Sequence, residues 1–194
     1  MYNNLISYVH NQPQTSYTLL ADGGIDFDPC LVHTSVLAHA AVIMIYQVLI
    51  DFTDGLPAVA IERCQQACEA MVMTIRSISD ADAELNTPLL ANFFFIAARF
   101  KLIMYRALSQ EREISFDTLM HGINMCGRRW AVARRLDIVL RCAIAEVEPG
   151  APAALPADFW NLKRSSLDIS EQVKQWIHQY KPNLYVGSLN GPYV

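Results

Sequence analysis

Two long stretches of this sequence are apolar on every face that a helix would present. The first spans residues 31–52 and contains the run VLAHAAVIMIYQVLI, and the second spans residues 88–109 and contains PLLANFFFIAARFKLIMYRAL. A helix that is apolar all round is normally buried on all sides. The longest apolar run has fifteen residues, whereas a membrane span needs about twenty. Both stretches are therefore predicted to be central helices of a folded core, and no membrane association is expected.

Three more helices are predicted from the spacing of apolar residues. Residues 57–79 carry apolar residues at steps of three and four, which define one buried face. The stretch 117–147 has the same period, and Ser115 or Asp117 is suited to cap it. The last predicted helix has its apolar residues at Ile169, Val173, Trp176, Ile177 and Tyr180.

These patterns divide the chain into four parts. Residues 1–30 are expected to be an irregular segment, and residues 31–147 a helical core. Residues 148–156 are rich in Pro, Gly and Ala and predict a loop, and residues 157–194 predict an amphipathic helix followed by an extended tail. The predicted fold class is all-α, a bundle or layered domain of about five main helices.

The composition adds one constraint on partners and one on location. Charged residues make up only 18% of the chain, below the usual quarter, which indicates either helices buried all round or an apolar surface covered by a partner or by missing segments. The five cysteines are an odd number, and the N-terminus has no secretory leader pattern. Reduced thiols in an intracellular compartment are therefore expected.

The stretch MCGRRWAVARRLDIVLRC, residues 125–142, holds five arginines in a chain of net charge -4. On one continuous helix with about 100° per residue, four of them fall at the border of the apolar face or on the opposite side. Among these, Arg141 follows Asp137 by four residues, which predicts a surface ion pair. Because the basic residues are split over two sides, the pattern does not fit a DNA-recognition helix, and no direct nucleic-acid binding is expected.

Arg129 is the exception on this predicted helix, because it falls in the middle of the apolar face. A buried guanidinium needs a partner, since an unpaired buried charge is very costly. An ion pair with an acidic residue of another helix is the favoured interpretation. The alternative is a ligand site in which Arg129 binds an anionic small molecule.

Other candidate chemistry gives no assembled catalytic or metal site. Cys64 and Cys68 have a spacing that a metal could bridge, but no second ligand pair has zinc-site spacing, and both lie in an apolar stripe that favours core packing. The loop around Asp82 lacks the Gly and Glu that a calcium loop requires. His39 is expected to be a hydrogen-bonded core histidine. No cofactor is predicted, and a non-enzymatic role is favoured.

Three stretches resemble the fungal-specific transcription factor domain, the middle homology region of binuclear zinc cluster regulators. They are LVHTSVLAHAAVIMIYQVLID, AIERCQQACEAMVMTI and MHGINMCGRRWAVARRLDIVLR, with the apolar helix PLLANFFFIAARF between the last two. The resemblance covers about residues 30–147, the C-terminal part of that domain. Two departures stand out: Ile50-Asp51-Phe52 replaces the family's usual His-Arg-Pro, and the six clustered cysteines of the DNA-binding head are missing.

The resemblance implies an all-α regulatory module that responds to a small-molecule effector and lies in the nucleus. DNA binding would belong to another part of the regulator. Protein partners or missing helices of a larger regulator would then cover faces of this chain, and exposed apolar patches are expected.

The rival hypothesis is a free-standing helical protein, cytoplasmic rather than nuclear, that binds a small molecule or acts as an enzyme without a recognisable motif. Its apolar pocket would lie between helices. The residues predicted to line such a pocket are Tyr46, Phe94, Tyr105, Arg129, Trp130 and His39.

Overall fold

The computed structural model describes residues 17–19, 25–52, 57–79, 82, 87–147 and 155–164. The secondary-structure elements in these ranges are, in chain order, β1 (Tyr17–Leu19), β2 (Ile25–Phe27), α1 (Pro29–Gln47), α2 (Ala58–Ser77), α3 (Pro88–Leu108), α4 (Ile114–Arg129), α5 (Ala131–Val147) and a short 3₁₀ helix (Ala157–Trp160). The all-α prediction is confirmed. The helix predicted around Ile169 to Tyr180, the tail and most of the loop 148–156 lie outside the described residues.

The described part of the N-terminal segment is more regular than the sequence predicted. β1 and β2 pair antiparallel, with Tyr17 opposite Phe27. Directly after β2, the carboxylate of Asp28 accepts hydrogen bonds from the backbone N–H groups of Cys30 (2.9 Å) and Leu31 (3.1 Å). This cap satisfies donors that have no partner inside a helix, so α1 begins two residues earlier than expected.

α3 is the central helix of the fold and contacts α1, α2, α4 and α5. Every residue from Phe94 to Tyr105 is buried. Its partner α4 approaches closely at Gly122, where an added Cβ would lie 2.7 Å from the Ile75 side chain and 3.1 Å from the Phe94 ring. The all-round apolar pattern of residues 88–109 therefore predicted the position of this helix correctly.

The prediction that residues 31–52 also form a helix buried on all sides is wrong, because α1 is buried on one side only. By length and composition alone both α1 and α3 could cross a membrane, but core helices of soluble proteins pass the same test. In the most apolar window of each helix, 78% of α3 is buried and only 33% of α1. One side of α1 packs on the core, and the other is exposed although it is equally apolar.

The single helix predicted over residues 117–147 is wrong, because the structure has two helices there. α4 ends at Arg129, and Trp130 is extended with φ −112° and ψ 119°. The guanidinium of Arg134 donates to the carbonyl of Gly127 at 2.6 Å, which satisfies one of the acceptors that a helix end leaves open. The first half of α4 and the second half of α5 line one groove, so α5 turns back along α4.

Candidate functional site

The six residues predicted to line a pocket are not gathered in one place. Phe94 is fully buried and Tyr105 is 6% exposed, both on α3. They are eleven residues apart, about 17 Å along the helix axis. His39 and Tyr46 lie two turns apart on α1 and are both half-buried. Their part in ligand binding stays a prediction, but these four residues do not form a single lining.

Arg129 is exposed, which corrects the prediction that it lies in the core. It sits in the last turn of α4 and its guanidinium lies 5.0 Å from the centre of the Trp130 ring. The prediction failed because it carried the 100° spacing through Trp130, where the helix stops. Arg129 and Trp130 do come together, as a partly exposed cation–π pair of the kind that contributes roughly 0.5–1 kcal/mol.

The deeply buried arginine is instead Arg99 on α3, which is 0% exposed. Its guanidinium donates to the backbone carbonyls of Phe159 at 2.8 Å and Asn161 at 2.7 Å. Longer hydrogen bonds reach the carbonyls of Asp158 and Arg164, both at 3.4 Å. Burial lowers the pKa of Arg99 to about 10, so the side chain stays charged at neutral pH and fastens the segment 155–164 to the core.

A second buried cation, Lys101, lies at the centre of a cluster of polar side chains. Its ammonium donates to Glu69 of α2 at 2.8 Å, to Glu113 at 2.9 Å and to the Ser115 hydroxyl of α4 at 2.8 Å. Burial by itself lowers the pKa of Lys101, but the hydrogen bonds with Glu69 and Glu113 outweigh it and raise the pKa above its ordinary value.

This cluster has the residue types of a catalytic site without the required protonation states. A lysine that activates a serine must be neutral, whereas Lys101 is held as an ammonium. The nearby Cys68 is buried, and that burial raises the pKa of its thiol well above 9.0 despite the charge of Lys101. The geometry of the cluster therefore joins α2, α3 and α4.

The sequence signal for both buried cations was present in the run FFFIAARFKLIMY, where Arg99 and Lys101 interrupt an apolar helix. Charged residues on a helix buried on all sides need partners from other elements. On α3 these partners are the carbonyls that bind Arg99 and the carboxylates that bind Lys101.

Metal binding gains no support from the described residues, which hold no group of three His, Cys, Asp or Glu side chains arranged for a metal ion. Cys64 and Cys68 are both fully buried, as the core-packing interpretation predicted. The Cys64 thiol faces the carbonyl of Ile43 at 3.9 Å, and burial raises its pKa to about 12.

A groove of about 510 Å³ lies between α4 and α5. Two ion pairs border it: Arg112 with Asp117 at 3.4 Å, and Arg141 with Asp137 at 2.8 Å, the second being the surface pair that the sequence predicted. The groove is lined by Arg112, Asp117, Met120, His121, Asn124, Arg141, Ile144 and Ala145.

Among the described residues, the outer face of α1 carries a row of exposed apolar side chains. Leu37, Ala41, Ile45 and Val48 follow one another at steps of three and four, so they form a single stripe, which we name the α1 stripe. Leu37, Ile45 and Val48 are 42%, 38% and 44% exposed. Residues 29–50 contain no Asp, Glu, Lys or Arg, so nothing on α1 itself interrupts the stripe with charge.

Two more exposed apolar side chains follow the stripe in sequence. Leu49 and Phe52, in the turn after α1, are 58% and 43% exposed. Contiguous apolar surface of this kind marks interaction sites, whereas single exposed apolar residues are common and carry no such meaning. The arrangement is suited to hold an apolar helix or strand from another element, and it offers no group for chemistry.

No family model, no curated protein and no solved structure matched the chain when it was compared with each. Its function is therefore inferred from the described geometry together with the sequence resemblance.

Proposed function

We propose that the chain is a non-enzymatic regulatory module, of the type that its resemblance to the fungal transcription factor domain implies, and that the α1 stripe is its docking surface. The observation that carries this proposal is the exposure of Leu37, Ile45 and Val48 on a helix without charged residues. In this proposal the module acts in the nucleus, and DNA binding belongs to another part of the regulator.

The energetics of the stripe favour a lasting contact over a brief encounter. Burying apolar surface gains roughly 25 cal/mol per Å². Interfaces that are lost and reformed often have polar and charged residues around them, whereas permanent ones resemble a core cut in half. A stripe of Leu, Ala, Ile and Val fits the second class, and it agrees with the expectation that missing helices or a protein partner cover this chain.

The non-enzymatic part of the proposal is supported by the Lys101 cluster. Two carboxylates contact the Lys101 ammonium at 2.8 and 2.9 Å, so its charge is already neutralised. Arg99 is likewise committed to backbone carbonyls. In this proposal both buried cations stabilise the fold, and the function lies on the surface of the chain.

A reporter assay tests the proposal. The full chain is tethered to a heterologous DNA-binding domain in yeast, and we expect it to change reporter transcription. The double variant Leu37→Asp/Val48→Asp, which alters exposed side chains only, should lose that effect. Met73→Asp is the matched control, because Met73 is 59% exposed on α2 and lies off the stripe. An unchanged reporter for the tethered chain, or equal effects of the stripe and control variants, would rule the proposal out.

A second candidate function, small-molecule binding, is favoured by the groove between α4 and α5. Its volume of about 510 Å³ falls within the usual range for ligand sites, and five of its eight lining residues are polar or charged. Arg141 and His121 would bind an acidic effector. A thermal-shift screen of small mono- and dicarboxylates should give a stabilising ligand whose effect is lost in Arg141→Met and kept in Arg135→Met. Equal shifts in both variants would place the ligand elsewhere.

A further inference from the structure

We propose that the α1 stripe is covered, in the free chain, by this chain's own C-terminal segment, residues 165–180. This inference rests on the proposed function, because it names the resting occupant of the same docking surface. The segment lies outside the described residues, and its place is inferred from where the described chain ends, from its length and from its sequence pattern.

The described chain ends beside the stripe. The ammonium of Lys163 contacts the carboxylate of Asp51 at 2.6 Å, although the two residues are 112 positions apart in sequence. Asp51 is three residues beyond Val48, the last member of the stripe. The neighbouring Arg164 is held through its carbonyl by Arg99 at 3.4 Å. Residues after 164 therefore start at the C-terminal end of α1.

The lengths of the two partners match. From Leu37 to Val48 is twelve residues, about 17 Å along a helix. The apolar residues of the C-terminal segment run from Ile169 to Tyr180, also twelve residues and also about 17 Å if helical. Four residues separate Arg164 from Ile169, enough to span about 13 Å of extended chain. An antiparallel helix pair thus needs no long connection.

The chemistry of the segment complements the stripe. Its apolar positions are Ile169, Val173, Trp176, Ile177 and Tyr180, with Glu171, Lys174 and Gln175 among the residues between them. A short amphipathic helix is marginal in water unless its apolar face is buried. Trp176 would bring the largest apolar area to the contact. The uncharged stripe supplies the missing apolar partner and leaves the charged side of the segment in water.

This arrangement makes the segment a competitive cover. A partner that docks on the α1 stripe must first displace residues 165–180, so the apparent affinity for that partner is reduced by the fraction of chains in which the stripe is covered. Weakening the cover should therefore strengthen docking without altering the docking surface.

Hydrogen-exchange mass spectrometry on the full monomeric chain tests the proposal. We expect the amides of residues 169–180 to exchange at least roughly tenfold more slowly than in an unstructured chain, since tertiary packing is needed to protect so short a helix. Leu37→Asp/Val48→Asp should abolish that protection. Met73→Asp should leave it unchanged, and circular dichroism should show that both variants still unfold in one cooperative transition.

Four outcomes would overturn the proposal. Residues 169–180 can exchange at the unstructured rate in the unmodified chain, or keep their protection in Leu37→Asp/Val48→Asp, which would place them elsewhere. Protection that disappears on dilution would mean that a second copy of the chain supplies the cover. Protection that appears only with neutral phosphatidylcholine vesicles would assign the stripe to a lipid surface.

The variant Trp176→Asp separates this proposal from the proposed function. It should strengthen the effect of the tethered chain on the reporter, because the stripe is uncovered, and it should increase the fluorescence of a bound hydrophobic dye. If residues 169–180 are unprotected but Leu37→Asp/Val48→Asp still abolishes the reporter effect, only the cover is wrong. If the cover is found but the reporter ignores both variants, the regulatory function is wrong.

Discussion

Arg99 shows how one residue can hold a segment of irregular structure against a helical core. Its guanidinium donates to the carbonyls of Phe159 and Asn161 at 2.8 and 2.7 Å, at the end of a short 3₁₀ helix, and the Asn161 carbonyl also accepts from the backbone N–H of Arg164 at 3.1 Å. The Phe159 ring also lies 5.7 Å from the guanidinium. Hydrogen bonds from one charged side chain thus connect residues 155–164 to α3.

Replacing Arg99 with Met keeps most of the side-chain volume but removes every donor. The carbonyls of Asp158 and Asn161 keep backbone donors, but the Phe159 carbonyl loses the donor at 2.8 Å. Leaving a buried acceptor without a partner costs about 1–3 kcal/mol, so we expect Arg99→Met to lower the free energy of unfolding by about 2 kcal/mol. Urea denaturation measures this change, and hydrogen exchange should show faster exchange in residues 155–164. Arg76→Met, at an exposed arginine of α2, is the control. Equal stabilities of the two variants would show that Arg99 does not hold this segment.

Glu113 makes stability depend on pH. Its hydrogen bonds from Lys101 and Ser115 lower the pKa of the carboxyl below its ordinary value of 4.5. Such a group stabilises the fold above its unfolded pKa, and the contribution is lost as pH falls through the lower, folded pKa. We therefore expect the free energy of unfolding to decrease below about pH 4.5, and the decrease to be shallower in Glu113→Gln.

Urea titrations at a series of pH values check this expectation. Glu111→Gln serves as the control, because Glu111 is exposed on the same connection before α4. If Glu113→Gln and the unmodified chain lose stability with the same slope against pH, the hydrogen bonds at 2.9 and 3.0 Å do not lower the pKa of the Glu113 carboxyl in solution.

The arginines also show what the sequence allowed at the scale of a residue. A buried arginine needs hydrogen-bonding partners. Arg129 was predicted to be buried only because one unbroken helix was predicted through Trp130. Arg99 met the same requirement on α3, whose burial on all sides was predicted correctly. Its partners are backbone carbonyls from 59 to 65 positions away, and no local pattern specifies those.

At the scale of elements, the junction between α4 and α5 is set by interactions that helical periodicity does not record. Trp130 is extended, and the apolar residues on either side of it keep a period close to that of one helix. The side chain of Arg134 reaches back to the carbonyl of Gly127, and this contact exists only once the chain has turned. Apolar spacing therefore predicted two stretches of helix correctly and their continuity wrongly.

Arg134→Met tests the junction. Its hydrogen bond to Gly127 is charge-assisted but partly exposed to solvent, so we expect a loss of about 1 kcal/mol in the free energy of unfolding. Amides near residues 126–133 should exchange faster. Arg135→Met is the matched control, since Arg135 is adjacent and also exposed. Identical exchange in the two variants would mean that the turn does not depend on Arg134.

The two apolar helices extend the same lesson to packing. Their compositions predicted central positions for both, yet α3 is surrounded by four helices and α1 is covered on one side. The composition of a helix indicates how much free energy its burial would contribute. It does not indicate whether a neighbouring element is present to cover it. The exposed half of α1 is thus the place where the sequence pattern and the described fold disagree, and for that reason it is the strongest candidate for a docking surface.

At the scale of the whole fold, the five cysteines lie at different depths among the described residues. Cys64, Cys68 and Cys126 are buried, Cys142 is half-buried and Cys30 is exposed at the start of α1. Since the thiolate is the reactive species, burial protects a thiol both by blocking access and by raising its pKa. Burial raises the pKa of Cys64 to about 12 and that of Cys126 to about 11.

We therefore expect iodoacetamide at neutral pH to modify Cys30 first, Cys142 next, and the three buried thiols only when the chain unfolds. Peptide mass spectrometry over a time course measures the order, with a sample in urea as the control in which all five react at similar rates. Because Cys64 contacts the carbonyl of Ile43 on α1 and Cys68 that of Ala97 on α3, early modification of either would mean that α2 separates from these helices in the folded chain. Such an opening would expose the inner face of α1 in addition to the stripe on its outer face. The docking surface would then include both faces of α1.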